Sequence, residues 1–441
     1  MQAVILAGGE GIKLRPLTFT VPKPLLPIIN KPIIDYILFI LKAAGVTNVI
    51  LTTDYLADQI EDYLTSNDFG LTIILHRIDT YNGSARILHD LSDQLEAKFV
   101  VVLADCLFDF PLGQAIRYFQ HEDVSAGLLV RREEDILGKG GFVVREGKIT
   151  EIVKKGDHSD QPVLSDAWIY YFKKEVLALI DSSRFFDIHL DLIQACFDKK
   201  KPMAVVEMNQ FWGVIGRVHP YIAANFWLLQ NIGTPTYIGA NTTIHPSAKL
   251  IAPYFIDEDC VIGENAEIGP NSIINKGVQI GPNTKVDTTI IHPGSKIGAN
   301  GILSNCIVAD NCELDDHVKV GLMAIIASSC KLGARCVIND GARVGPHVTL
   351  PPETTVRDVV FPVSMTSSAG KRTEAANHLQ ANELKFCLTL QEAGEQTFDG
   401  LLSLTGHSKE ALQPLIDTLI QKQVILSYGE NPVIYSLYKE I

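Results

Sequence analysis

An aliphatic residue returns at every sixth position through much of the second half of the chain, and few folds tolerate that period. Ile244, Leu250, Ile256, Ile262, Ile268, Ile274, Ile280 and Val286 set it. A five-residue step leads to Ile291, Ile297 and Leu303, and a second leads to Val308, Leu314, Val320, Ile326, Leu332, Ile338, Val344, Leu350 and Val356. Glycine often follows, as at Gly263, Gly269, Gly281, Gly298, Gly321, Gly333 and Gly345. A unit this short cannot bury an apolar side chain alone, so each must stack on its neighbours. Four positions after the aliphatic residue the side chain is small: Ala248, Ala266, Ser272, Thr284, Ser295, Ala324 and Ala342. Cys260, Cys312, Cys330 and Cys336 occupy the same place and read as interior fillers rather than metal ligands.

This pattern resembles the hexapeptide repeat of left-handed parallel β-helices. Three hexads close one triangular coil in that fold, so about six coils are expected over residues 238–362. Hexapeptide β-helices also carry acyltransferase activity, with His245, His292, His317 and His347 as candidate bases here. Their positions instead predict turns on the solvated face.

The first residues carry a different signal. Ala3-Val4-Ile5-Leu6 is a run of strand formers that stops at Gly8-Gly9-Glu10-Gly11. Glycines let the backbone approach a ligand closely, and exposed N–H groups in such a loop suit phosphate oxygens. Cations follow at Lys13, Arg15 and Lys23, the last between Pro22 and Pro24. The spacing fits neither the dinucleotide fingerprint nor the P-loop of kinases. Strands at 49–52 and 71–75 alternate with helices at 33–44 and 56–64. That alternation predicts an α/β, Rossmann-like domain over 1–232, with a mostly parallel sheet covered on both faces.

Read in order, L-A-G-G-x-G, L-x-P-L-T, P-K-P-L-L-P-I and N-K-P resemble the start of the sugar-1-phosphate nucleotidyltransferases, the family of GDP-mannose and glucose-1-phosphate pyrophosphorylases. The resemblance extends to about residue 225 through Gly83-Ser84-Ala85, the strand ending at Asp105, Asp166-Ala167-Trp168-Ile169-Tyr170 and Trp212-Gly213-Val214-Ile215-Gly216. It implies transfer of a nucleoside monophosphate from a nucleoside triphosphate to a sugar 1-phosphate, with release of pyrophosphate and with Mg²⁺ as cofactor. It assigns the nucleotide to Leu6, Ala7, Gly8, Gly9, Gly11, Gly83 and Ser84. Lys13, Lys23 and Asp105 become catalytic, Asp105 the metal ligand, and Lys155 with Asp166 the sugar-phosphate contacts.

Several positions depart from the family pattern. Ile12-Lys13 replaces T-R, which keeps a cation but loses the planar fork of arginine. Lys154-Lys155-Gly156 replaces E-K-P, Asp166 replaces an asparagine and Trp168 a glycine. Val214 stands where the family has a second metal aspartate. These departures keep open a catalytically degenerate relative that binds a nucleotide or nucleotide-sugar and acts as a regulatory or scaffold subunit.

Residues 363–382 read as a linker rich in Ser, Ala, Thr and Asn, and 383–441 as a small winged-helix-like α+β module. In that module Phe398–Leu404 and Ser408–Lys422 read as helices, with 424–426 and 433–437 as the strands of a wing. Four Lys/Arg against seven Asp/Glu from Leu384 onward argue for docking a protein rather than reading DNA. A net charge of −13 weighs against nucleic acid and anionic membrane for the whole chain. No signal peptide or apolar membrane span stands out, and eight cysteines without a C-x-x-C read as reduced thiols, so a cytoplasmic protein is expected. A homo-oligomer is expected from the β-helix.

Overall fold

The computed structural model describes residues 1–132, 140–154, 159, 161–231, 233–361, 396–397, 401–402, 408–421, 425–428 and 434–437. Two compact units result, Met1–Val359 and Val360–Ile441.

In the first unit, strand Gln2–Leu6 sends Ala3 and Ile5 into one apolar layer and Val4 and Leu6 into the other, as a pleat requires. Helices Ile33–Ala43, Leu112–His121 and Val218–Asn231 cover the first layer. Helices Ser84–Asp90 and Ile193–Asp198 cover the second. Strands Thr72–Arg77, Asn48–Thr53, Gln2–Leu6 and Lys98–Leu103 are parallel neighbours in that order. The next strand, Val163–Lys173, runs antiparallel to Lys98–Leu103, to Ala126–Arg131 and to Gly141–Arg145. The expected mostly parallel sheet is therefore mixed. Among the described residues no crossover helix separates Ala126–Arg131 from Val163–Lys173. A hairpin intervenes instead, turned by Glu146 and Gly147 at φ of 49° and 72°.

From Thr236 the chain winds into a left-handed β-helix. Two of its three parallel sheets have seven strands and the third has eight, which makes seven coils rather than the expected six. Thr236–Ile238 and Val359–Val360 extend the stack beyond the recognisable hexads. The aliphatic series from Ile256 onward is buried inside the prism, and Cys260, Cys312, Cys330 and Cys336 are buried fillers. Both five-residue steps shorten a corner without breaking the ladder, since Val286 still pairs with Leu303, and Leu303 with Val320. Asn265, Asn271, Asn283, Asn300 and Asn311 occupy positive φ at corners, a region Asn enters at lower cost than most side chains.

One face of the prism is not solvated. Phe255, Ile273, Ile290, Ile307 and Ile325 point outward from the eight-stranded sheet and join the apolar layer of the first domain. Each such side chain stabilises the join by about 2 kcal/mol. His245, His317 and His347 lie exposed, as expected, but His292 does not. It is 4% exposed, with Nε2 3.0 Å from the Tyr221 hydroxyl on helix Val218–Asn231.

In the second unit, Gln396–Thr397, Ile434–Leu437 and Ile425–Tyr428 form a three-stranded antiparallel sheet. Helix Lys409–Gln421 buries Leu412, Ile416 and Leu419, one stripe at helical spacing. The linker, most of the expected Phe398–Leu404 helix and the wing tip at 429–433 lie outside the described residues. Among the described residues no helix is long and apolar enough to cross a membrane.

The seam makes a pH prediction. Burial pushes the His292 imidazole down to about 4, with the Asp310 charge only partly opposing it. Its contribution is therefore whole above pH 6.5 and lost as the pH falls toward 4, a loss of up to about 3 kcal/mol. Thermal melts should drop between these limits, and His292→Leu should flatten the drop. Parallel curves for the two proteins would refute the assignment.

Candidate functional site

Strand Gln2–Leu6 leaves the sheet between its two parallel neighbours: the Ala7 amide donates to Thr52 O at 2.9 Å and the Ala104 amide to Leu6 O at 3.0 Å. The glycine loop and Asp105 thus emerge side by side at the carboxyl end of a parallel sheet, where α/β folds bind ligands. Gly9 has φ 124°, and no atom lies within 4 Å of where a β-carbon would stand. Gly11, at φ 63°, packs against Thr18 and the stem of Lys23, and its carbonyl accepts the Thr18 hydroxyl at 2.8 Å.

Pro22 and Pro24 set Lys23 into a short 3₁₀ turn, Lys23–Leu25. From there Lys23 Nζ reaches Asp105 Oδ2 at 2.9 Å, with the two side chains 19% and 18% exposed. Strand Trp212–Val214 pairs with Cys106–Phe108, placing Val214 opposite Cys106, and the Ile215 amide donates to Asp105 O at 2.7 Å. Val214 therefore flanks Asp105 and supplies no ligand. Lys13 stands exposed on the adjoining turn Ile12–Leu14.

Gly83 and Ser84 open helix Ser84–Asp90. A β-carbon at Gly83 would fall on the Phe186 carbonyl, so the close approach requires glycine there. The Ser84 hydroxyl donates to Asp187 Oδ2 at 2.7 Å and accepts the Ile188 amide at 2.9 Å, which bolts this loop to segment 186–188. Asp166 points inward, 5% exposed, accepting from the Trp168 amide (2.7 Å), the Tyr170 hydroxyl and His189 Nδ1 (2.9 Å). Trp168 holds φ 58° within its strand and lies 5.4 Å from the His189 ring. Burial opposes a charge on His189, but the hydrogen bond and charge of Asp166, with Asp187, outweigh it and raise its pKa. Lys155 lies outside the described residues.

The geometry thus gathers the glycine loop, Lys23 and Asp105 at one mouth. Asp166 instead belongs to a buried network with His189 and Tyr170. Sequence reasoning missed His189 and Asp187, which carried no signal beyond two polar residues amid apolar ones. It also named Arg15 only as a cation, and the structure pairs it with Glu10 and lays it over Phe19, 4.8 Å from the ring centre.

A separate cleft of about 590 Å³, lined by Tyr118, Lys148, Phe197 and Lys200, shares no residue with this mouth. Strand-end geometry and the open space at Gly9, rather than cavity size, mark the candidate site. Among the described residues no group of three or more His, Cys, Asp or Glu side chains is set to hold a metal. The donor set fits only a Mg²⁺ shared between one carboxylate, Asp105, and the phosphates that bring it.

The profile of the nucleotidyl transferase family matches residues 2–231, and that of the GMPPB C-terminal domain matches residues 250–360. The UTP–glucose-1-phosphate uridylyltransferase of Synechocystis is 26% identical over 340 residues, 65% of this chain and 86% of that protein. The mannose-1-phosphate guanylyltransferase catalytic subunit beta of Danio rerio is 28% identical over 361 residues, 79% of this chain and 97% of that one. The mannose-1-phosphate guanyltransferase beta-A of Xenopus laevis is also 28% identical, over 79% of this chain and 96% of its own length. With its glycine loop, strand-end aspartate and appended β-helix, the chain belongs to the sugar-1-phosphate nucleotidyltransferase family.

Proposed function

We propose that this protein transfers a nucleoside monophosphate from a nucleoside triphosphate to a sugar 1-phosphate of the mannose or glucose type. The observation that carries this reading is the Lys23–Asp105 contact, 2.9 Å long, at the open mouth of the glycine loop. A phosphate oxygen of the sugar phosphate attacks the α-phosphorus, the bond to the β-phosphate bridging oxygen breaks, and pyrophosphate leaves. Little covalent work falls to the protein in such a step, so placing and neutralising phosphates is the main task. Backbone N–H groups of Gly8, Gly9 and Gly11 suit the triphosphate, with Lys13 at the rim. Lys23 would neutralise the reacting phosphates, and Gly83 with Ser84 would help hold the base. Mg²⁺, held by Asp105 and the phosphates, would neutralise charge developing on the leaving group. Lys155 is proposed for the sugar phosphate by resemblance. Asp166 would act there through Trp168 and His189, which it holds.

The names of the relatives support turnover over a purely regulatory role, and they leave guanosine with mannose and uridine with glucose as the leading pairs. Seven described cysteines are buried free thiols, which suits a reducing, cytoplasmic setting. We further propose that Val360–Ile441 is a winged-helix-like module that docks a protein or a second copy, because its helix and three-stranded sheet carry too few cations to bind DNA phosphates.

Incubation with mannose or glucose 1-phosphate and each of GTP, UTP, ATP, CTP and dTTP should release pyrophosphate with at least one pair. Absence of turnover with every combination at high Mg²⁺ would refute the activity. Val214→Asp should lower the Mg²⁺ needed for half-maximal rate by about tenfold, since it restores a second carboxylate beside Asp105. Gly9→Val should cut nucleotide affinity by more than about tenfold in calorimetry, because the branched side chain would fill the space the phosphates need. Unchanged affinity would remove the nucleotide from this loop. Deleting residues 383–441 should change the number of subunits per particle measured by light scattering, or abolish capture of a partner, while the first unit stays folded.

A further inference from the structure

Lys23 lies in a stretch with little regular structure of its own. Between Thr18 and Asn30 the chain makes only 3₁₀ turns and the two-residue strand Pro27–Ile28. Such a segment cannot hold a lysine in place by itself, yet the step proposed above needs the ammonium fixed against the phosphates.

The β-helix grips this stretch on both sides of Lys23. On the N-terminal side, Thr20 Oγ1 lies 3.3 Å from Ser328 Oγ, and Ser328 donates to Asp310 Oδ1 at 2.6 Å. Because the Ser328 hydroxyl donates to Asp310, Thr20 is the donor to Ser328. Thr20 sits three residues before Lys23, and the nearby Thr18 hydroxyl reaches the Gly11 carbonyl. On the C-terminal side, the Tyr221 hydroxyl donates to Pro27 O at 2.6 Å and lies 3.0 Å from His292 Nε2. The one hydroxyl proton goes to Pro27, so His292 donates from Nε2 to Tyr221. Asn225, one turn along the same helix, accepts the Ile29 amide at 2.7 Å, and Asn30 donates to Asp257 of the β-helix at 3.2 Å.

We propose that the β-helix is the positioning element for Lys23, acting through the Ser328–Thr20 and His292–Tyr221–Pro27 bridges. Tyr221, His292 and Ser328 act on the backbone that carries the ammonium. The inference rests on the proposed transfer reaction for its kinetic consequence, and on the hydrogen bonds alone for its structural one. A small displacement of a positioned group costs rate more than binding.

The test uses full-length Tyr221→Phe and Ser328→Ala, with His292→Gln as the variant that keeps an N–H donor. Hydrogen exchange followed by mass spectrometry should rise about tenfold in segment 18–32 for the first two and stay near wild type for His292→Gln. Calorimetric nucleotide affinity should hold within about twofold while kcat falls about tenfold, and neither substitution should lower kcat further in a Lys23→Ala background. Unchanged exchange across 18–32 in both Tyr221→Phe and Ser328→Ala would overturn the proposal, as would a rise spread evenly over the first domain. If the wild type transfers no nucleotide, the proposed reaction fails and the exchange pattern alone decides the positioning role.

Discussion

The burial of one prism face against the first domain is the contact on which the rest of this structure depends. A β-helix with three solvated faces would be a separate body on a tether. Here Phe255, Ile273, Ile290, Ile307 and Ile325 join the same apolar layer as Ile33, Val218 and Ile222. Consequently the first two domains form one compact unit that ends at Val359. That seam brings polar side chains of the prism, His292 and Ser328, within hydrogen-bonding range of Tyr221 and Thr20 of the first domain. Apolar area supplies the adhesion, and the few buried hydrogen bonds set the register.

At the mouth of the glycine loop the charges are few. One carboxylate faces one ammonium, and Val214 stands beside them. A lone carboxylate holds a divalent cation less firmly than a pair, so an ion at such a site would depend on its ligand's own oxygens. Behind this mouth, Asp166 accepts three hydrogen bonds and keeps Trp168 at positive φ beside His189. A tryptophan in that conformation stores of order 1–2 kcal/mol of strain, which persists only because its surroundings determine it.

Much of this was legible along the chain because it depends on local period or local motif. The six-residue repeat is enforced inside every coil, so the aliphatic positions from Ile256 onward predicted the interior of the prism closely. The glycine loop and the P-K-P turn also declare themselves locally. The seam was legible in principle, since an apolar residue precedes the buried anchor in every third hexad, from Phe255 to Ile325. Reading it requires knowing that three hexads make a coil, so that residues 17 or 18 apart share a face. The antiparallel strand Val163–Lys173 was missed because strand direction depends on how the chain returns, which the strand's own composition does not encode.

The sequence by itself determined the family, the repeat architecture and the glycine loop at the end of the first strand, because those follow from contacts between near neighbours. Only the tertiary structure decided that Lys23 meets Asp105, 82 positions away, and that His292 is a buried strut rather than an exposed base. It also decided that Asp166 is spent on Tyr170, Trp168 and His189. In each case a polar side chain takes its role from the partner that folding brings to it, and no local pattern states which partner will arrive.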